Sequence, residues 1–183
     1  MKNLFIPKRI NNLITYVTLA SVTFFAFLPH VTSAYAILDQ SAARLNDNTI
    51  LFQVDYRLNY LNYDTYAPIF PFHVNETSTS SPYIQYSLVD EAGNKVAGLD
   101  STSLVLSQAD IVDNQYYITD GESRPFSLVS FVTLPPELVA TSGALALQID
   151  WLPFTLVQDG KESDAAVRQK DLTNDFKTPL ISW

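Results

Sequence analysis

The stretch that most constrains the fold is Thr49-Ile-Leu-Phe-Gln-Val-Asp-Tyr-Arg-Leu-Asn-Tyr60. Ile50, Phe52, Val54, Tyr56, Leu58 and Tyr60 are apolar or aromatic, whereas Gln53, Asp55, Arg57 and Asn59 between them are polar. Successive side chains of a strand point to opposite faces, so a period of two specifies a strand with one buried face. A helix would scatter the same residues around its circumference. Phe52, Val54 and Tyr56 are therefore predicted in the core, with Gln53 and Asp55 opposite.

Shorter segments repeat the pattern. Tyr83 to Asp90 places Ile84, Tyr86 and Leu88 on one face and runs into Glu91-Ala-Gly-Asn-Lys95. Gly93 there can take the positive φ of a tight turn, returning the chain through Val96 to Leu99. Ser103 to Ser107, Gln115 to Thr119, Phe126 to Leu134 and Ala144 to Leu152 are further strands, with Gly121, Pro125, Pro135-Pro136 and Gly143 as punctuation. Short strands with turn chemistry between them predict an all-β fold, an antiparallel sandwich or barrel, of which the β-sandwich is the expectation. Two connections exceed the usual length: Leu61 to Ser81, rich in aromatics, and Gln158 to Lys177, whose Lys161 to Leu172 reads as a polar loop with a helical turn. Loops of that length are often functional.

The chain opens differently. Lys2, Lys8 and Arg9 precede an apolar run from Leu13 to Leu28, then Pro29 and Thr32-Ser-Ala-Tyr-Ala36. Basic, apolar and small-residue zones in that order predict a secretory signal peptide over residues 1–36, cut after Ala36, and one domain over 37–183. The alternative is an uncleaved anchor, with residues 10–31 stretched towards the roughly 20 that cross a bilayer. The expected location is extracellular or in the cell envelope. The leader carries three of the eleven Lys and Arg and none of the nineteen Asp and Glu, so residues 37–183 hold eight cationic against nineteen acidic side chains, a formal −11. That balance argues against a nucleic-acid partner, which requires a basic face. No cysteine is present, which excludes disulfides, thiolate metal sites and cysteine nucleophiles.

Site chemistry is sparse. His73 is the one histidine beyond residue 36, no Gly-x-Ser-x-Gly elbow accompanies it, and it reads as an ordinary loop histidine. Asp150 beside Trp151 is the acid most suggestive of a glycosidase carboxylate, which needs a second acid about 5–10 Å away. Alternation makes Trp151 core and Asp150 solvated instead. Asp110, Asp113, Asp120 and Glu122 cluster around one predicted strand. Without the Asp-x-Asp-x-Asp-Gly pattern of a calcium loop, they read as acidic loop ends that keep the domain soluble. No catalytic residue, metal or cofactor is assigned.

Tyr63, Tyr66, Phe70 and Phe72, stiffened by Pro68 and Pro71, form the candidate recognition surface. Such rings suit stacking on sugars or docking a protein. The competing expectation is a lid that buries them over an open end of the sandwich, since exposing four aromatics together is unusual for a monomer.

Ala43-Arg-Leu-Asn-Asp-Asn-Thr-Ile-Leu-Phe52, Ser103-Leu-Val-Leu-Ser-Gln-Ala109, Asn114-Gln-Tyr-Tyr-Ile118 and Phe126-Ser-Leu-Val129, together with the leader, resemble uncharacterised small exported bacterial proteins of immunoglobulin-like appearance. The resemblance implies an immunoglobulin-like β-sandwich outside the cytoplasm and brings no activity with it. The Cys–Trp–Cys mark of true immunoglobulin domains is missing, as it must be without cysteine. The function expected is a structural or protein-interaction role, not an enzyme, with an envelope protein or glycan as partner. The alternative is a carbohydrate-binding module using residues 61–73.

Overall fold

A computed structural model describes residues 35–59, 62–75, 81–168 and 176–183, without side-chain detail for 166–168. Residues 1–34 of the predicted signal peptide, and with them the possible anchor at 10–31, lie outside these residues, whereas Tyr35 and Ala36 are within them. The chain divides into two units, Met1–Ser33 and Ala34–Trp183, and the second is described here.

Its fold is all-β, a sandwich of two sheets. The first sheet has the order β1-β2-β9-β6, with β1 at Tyr35–Asn46, β2 at Thr49–Asn59, β6 at Asp100–Ser107 and β9 at Ser123–Thr133. The second has the order β4-β5-β10-β3-β8-β7, formed by β3 (Asp64–Pro68), β4 (Pro71–His73), β5 (Ile84–Val89), β7 (Asp110–Val112), β8 (Gln115–Ile118) and β10 (Ala144–Gln158). β11 (Lys161–Arg168) and β12 (Ile181–Ser182) also pair with β10. A single helical turn, α1, occupies Pro136–Val139. β4 and β5 run parallel, and the other strand pairs are antiparallel.

The period-two stretch behaves as its pattern dictates. Ile50, Phe52, Val54, Tyr56 and Leu58 are wholly buried, while Gln53 and Asp55 on the other face are half-buried. Ile84, Tyr86 and Leu88 of β5 and Leu145, Leu147 and Ile149 of β10 join them in one core. Phe126 of β9 is its aromatic centre, stacked on Tyr56 at 5.4 Å and meeting Tyr116 edge-on at 5.5 Å. The Tyr116 hydroxyl donates to the Val105 carbonyl of β6 at 2.9 Å. A second polar tie joins the sheets: the Tyr86 hydroxyl lies 2.9 Å from Ser101 Oγ, 3.0 Å from Ser103 Oγ and 3.2 Å from Ser130 Oγ. Pairing hydroxyls with one another removes the penalty of burying them alone.

Several expectations are corrected. Leu61 to Ser81 is not one loop, because β3 and β4 form inside it. Thr65, Ala67 and Pro68 are buried while Tyr66 faces outward, a short alternation that the surrounding prolines disguise. The 158–177 segment is likewise no loop over its first half. Asp159 and Gly160, both at positive φ, turn β10 into β11, so Lys161 onward is a strand rather than a helical turn. That strand is polar because its described side chains are largely exposed. Val96 to Leu99 is not a strand either: the return is limited to one bridge just before it, Val89 to Lys95, and a hydrogen bond from the Val96 N–H to the Leu88 carbonyl at 2.8 Å. β1 and β7 carry no clean alternation and were not foreseen. Two register shifts break β1 at Ile37/Asp39 and Arg44/Asn46, and β7 has only three residues, all exposed.

Candidate functional site

The four aromatics of the predicted recognition surface do not stay together. Tyr66 on β3 lies opposite Tyr117 of β8, their rings 5.1 Å apart, and both are half-buried on the outer side of the second sheet. Tyr63 is half-buried too. Phe70 and Phe72 instead stand out from the surface, 53% and 49% exposed. The lid expectation therefore fails for the phenylalanines, and partial burial holds for the tyrosines.

A residue missing from the sequence reading completes the exposed group. Tyr83, 41% exposed, meets Phe72 at 4.8 Å with its ring tilted by 58°. Phe72 sits on β4 between Pro71 and His73, and β4 pairs in parallel with the start of β5, just beyond Tyr83. Trp151 fixes the other side of the contact. Its indole N–H donates to the Ser81 carbonyl at 2.9 Å, and the Tyr83 N–H donates to Ser81 Oγ at 3.2 Å. A buried tryptophan on β10 thus anchors the short segment that presents Tyr83. The signal available in sequence was only that Tyr83 opened a predicted strand; its partner eleven residues back was legible only through the β4–β5 pairing.

Behind this corner lies a buried polar group. The Asp150 side chain is fully buried and accepts from Lys95 Nζ at 2.7 Å and Gln148 Nε2 at 3.0 Å. The expectation of a solvated Asp150 is thus overturned. A register shift between Ile149 and Trp151 breaks the alternation on which it rested, since a bulge re-aims the side chains beside it. Trp151 is core, as expected, at 6% exposure. With its carboxylate held by a lysine and an amide, Asp150 serves structure rather than a glycosidase cleft.

His73 is half-buried and stacks on Tyr86 at 5.6 Å. Its Nε2 is buried with no hydrogen-bond partner. Burial pushes its pKa below the ordinary histidine value; a hydrogen bond to the Leu99 backbone and the nearby Asp150 charge oppose that shift, and Lys95 adds to it. A triad histidine would hold a nucleophile on one nitrogen and an orienting carboxylate on the other. This ring holds a backbone group and nothing.

The four acids weighed for calcium are not assembled into a cage. Asp113 and Asn114, at φ 49° and 61°, form the tight turn of the β7–β8 hairpin, whose backbone twist requires positive φ. Asp120 Oδ1 accepts from the Asn62 N–H at 2.6 Å, and Glu122 pairs with Arg124 at 2.7 Å. Asp110 stands exposed on β7 opposite Tyr117. Among the described residues no group of three or more acidic or histidine side chains could hold a metal.

A surface cleft elsewhere is lined by Asp90, Glu91, Leu138, Gly143 and Trp183 among others. Its two acids are neighbours in one turn and do not face each other. The Asn94 backbone and side chain hold the Asp90 carboxyl below the usual carboxylate range. Trp183 packs directly on the Gly143 backbone, where an added Cβ would come within 2.3 Å of its ring, and donates from Nε1 to the Leu138 carbonyl at 2.7 Å.

No protein-family model matches the chain, and no curated protein does. Solved structures with some likeness include the yeast GGA1 GAE domain–P21 structure, at 8% identity and TM-score 0.32 over 76% of this chain and 95% of that one. The GAE domain of GGA2p from Saccharomyces cerevisiae is similar at 7% identity and TM-score 0.32, over 73% and 94%. A likeness of that depth says nothing of what this chain binds.

Proposed function

We propose that this chain is an exported interaction domain that binds a protein partner through Phe70, Phe72 and Tyr83. The observation that carries the reading is the geometry of the last two, which are about half exposed and tilted by 58° at 4.8 Å. Three exposed aromatics within fourteen residues, two of them touching, form the kind of anchor around which protein interfaces gather their binding energy. The tilt separates protein from sugar. Stacking on a sugar ring wants a flat platform, whereas two inclined rings form a notch that accepts an apolar side chain. Export rests on the basic, apolar and small-residue order of the first 36 residues.

The test is the double variant Phe72→Ala/Tyr83→Ala, compared with the parent by cross-linking in envelope preparations and on a glycan panel. The expected result is a protein cross-link lost in the variant, with a nearly unchanged melt. A melt lowered as if buried rings had been removed, about 3–5 kcal/mol each, would show that the notch belongs to the core. Binding on the glycan panel that the variant loses would replace the protein reading with the carbohydrate one.

A further inference from the structure

The outer face of the first sheet carries an apolar stripe that nothing among the described residues covers. Alternation along β9 sends Phe126, Leu128 and Val132 into the core and turns Val129 and Phe131 the other way. The pairing register sets Phe131 between Leu51 of β2 and Thr102 of β6, and Val129 between Gln53 and Leu104. Leu106 stands next along β6, the edge strand. Phe131, Leu104 and Leu106 are 38%, 37% and 53% exposed. The two rows through Phe131 and Val129 hold no charged side chain. Charge begins only in the rows beyond them, with Asp55 on one side and Asp100 on the other.

An occupant must match both the shape and the charge of this face. Pleated sheets pack on pleated sheets, about 10 Å apart, with the side chains of the two faces interdigitated. Residues 37–183 carry a formal −11, so a cationic partner is drawn to other parts of the surface. A second copy brings the same uncharged face, and a two-fold axis sets stripe against stripe with the acids left at the rim. The area is close to what a dimer needs. Four strands about 4.8 Å apart, and the stretch of β9 from Pro125 to Thr133 at about 3.4 Å per residue, span about 20 by 30 Å. That is about 600 Å² in projection, and accessible area is larger because it follows the relief of the side chains; a standard interface takes about 800 Å² from each partner.

We propose that the outer face of the β1-β2-β9-β6 sheet is a dimer interface, on which two copies of this chain pack face to face around Leu104, Val129 and Phe131. Phe72 belongs to the other sheet, so the dimer and the partner-binding reading above stand or fall separately. The chain, purified as its host produces it, is followed by sedimentation equilibrium from micromolar to sub-millimolar concentration. A monomer–dimer equilibrium that tightens with added salt is expected, because salt screens the repulsion between two acidic copies and leaves their apolar contact intact. A monomer throughout, or a dimer that salt loosens, overturns the proposal.

Two double variants locate the contact. Leu104→Glu/Phe131→Glu and Leu104→Lys/Phe131→Lys put like charges on both copies, and each should weaken dimerisation by about a hundredfold or more, the consequence of enclosing unpaired charge. Mixed together they should form a heterodimer, since each charge then meets its opposite. A dimer that persists in both variants, or that is lost in Phe72→Ala/Tyr83→Ala, lies elsewhere and overturns the assignment. If the charged variants fail to fold, a label decides the matter without them. The chain has no cysteine, so Gln53→Cys carries a single nitroxide on this face. Short-range dipolar coupling between the labels of two copies is expected, and its absence at concentrations where the chain is dimeric refutes the interface.

Discussion

Replacing Tyr56 by phenylalanine isolates one atom whose cost the structure allows to be worked out. The Tyr56 side chain is 0% exposed and its hydroxyl has no hydrogen-bond partner, while its ring stacks on Phe126. Phenylalanine keeps the ring and removes the stranded oxygen. A buried polar group left unsatisfied costs about 1–3 kcal/mol, and part of that is offset by the packing its oxygen provides, so Tyr56→Phe should stabilise the domain by about 1–2 kcal/mol. At this chain size a kcal/mol is worth roughly 2–4 °C, giving a rise in Tm of about 2–8 °C at pH 7. The same atom makes the effect depend on pH. Burial, reinforced by the neighbouring Tyr116, pushes the Tyr56 phenol far above its ordinary pKa. The unfolded chain releases that proton above pH about 10 and the folded chain keeps it. Its contribution is therefore intact below pH 10 and lost as pH rises beyond it, at about 1.4 kcal/mol per pH unit. The advantage of Tyr56→Phe should widen by about 1 kcal/mol between pH 10 and pH 11, where the unfolded phenol is still part-way through its titration, with the other tyrosines cancelling because both proteins carry them. Urea melts of parent and variant at pH 7, 10 and 11 read this directly. A variant less stable than the parent at pH 7, or an advantage that does not grow above pH 10, would refute the reasoning.

Asp150→Asn should lower the urea midpoint by the equivalent of about 1–3 kcal/mol, below the 3–5 of a fully buried pair, because the Lys95 side chain it partners keeps 30% exposure. Gly143→Ala should unseat Trp183, whose ring stands 2.3 Å from the new methyl position; the expected readout is a red-shifted tryptophan emission and a loss of about 1–3 kcal/mol, and an unchanged spectrum would contradict the contact. His73, with its pKa lowered by burial, contributes stability that is present above pH about 6.5 and lost as pH falls below it. His73→Gln should accordingly flatten the stability profile on the acid side of that value, and an NMR titration of His73 giving a midpoint above 6.5 would contradict its burial.

What the sequence revealed follows from where its periodicity was undisturbed. β2 was legible to within a residue because every second side chain from Ile50 to Leu58 is wholly buried, and nothing local competes with that pattern. β1 was hidden because two bulges reverse its alternation and no side chain along it is fully buried. β3 and β4 were hidden behind prolines, which sequence reasoning takes as breaks but which here sit at strand ends. The misplacement of Asp150 has the same origin, a single bulge that shifts a face by one residue. The candidate site was half legible. Clustered aromatics pointed to the segment that carries Phe70 and Phe72, but the partition between a half-buried Tyr66, set against Tyr117, and an exposed Phe72 depends on which strands flank them. Tyr83 entered the site through a parallel pairing and a tryptophan seventy positions from Ser81, and no local pattern encodes either.

The pairing scheme also dictates when this chain can become rigid. β2 must wait for β9, since Val54 pairs with Leu128. The second sheet must wait longer, because β5, β3, β11 and β12 all dock on β10. Until residues 144–158 are available, the first sheet has no opposing layer to cover its apolar face, and what precedes them is limited to hairpins and bare sheet. Non-local pairings of this kind close slowly. During synthesis the polypeptide therefore stays pliable until its last quarter has been made, the condition under which an unfolded strand can still be threaded through a narrow channel. The same delay leaves its apolar strands unguarded for longest, so a holding chaperone has its widest window before β10 emerges.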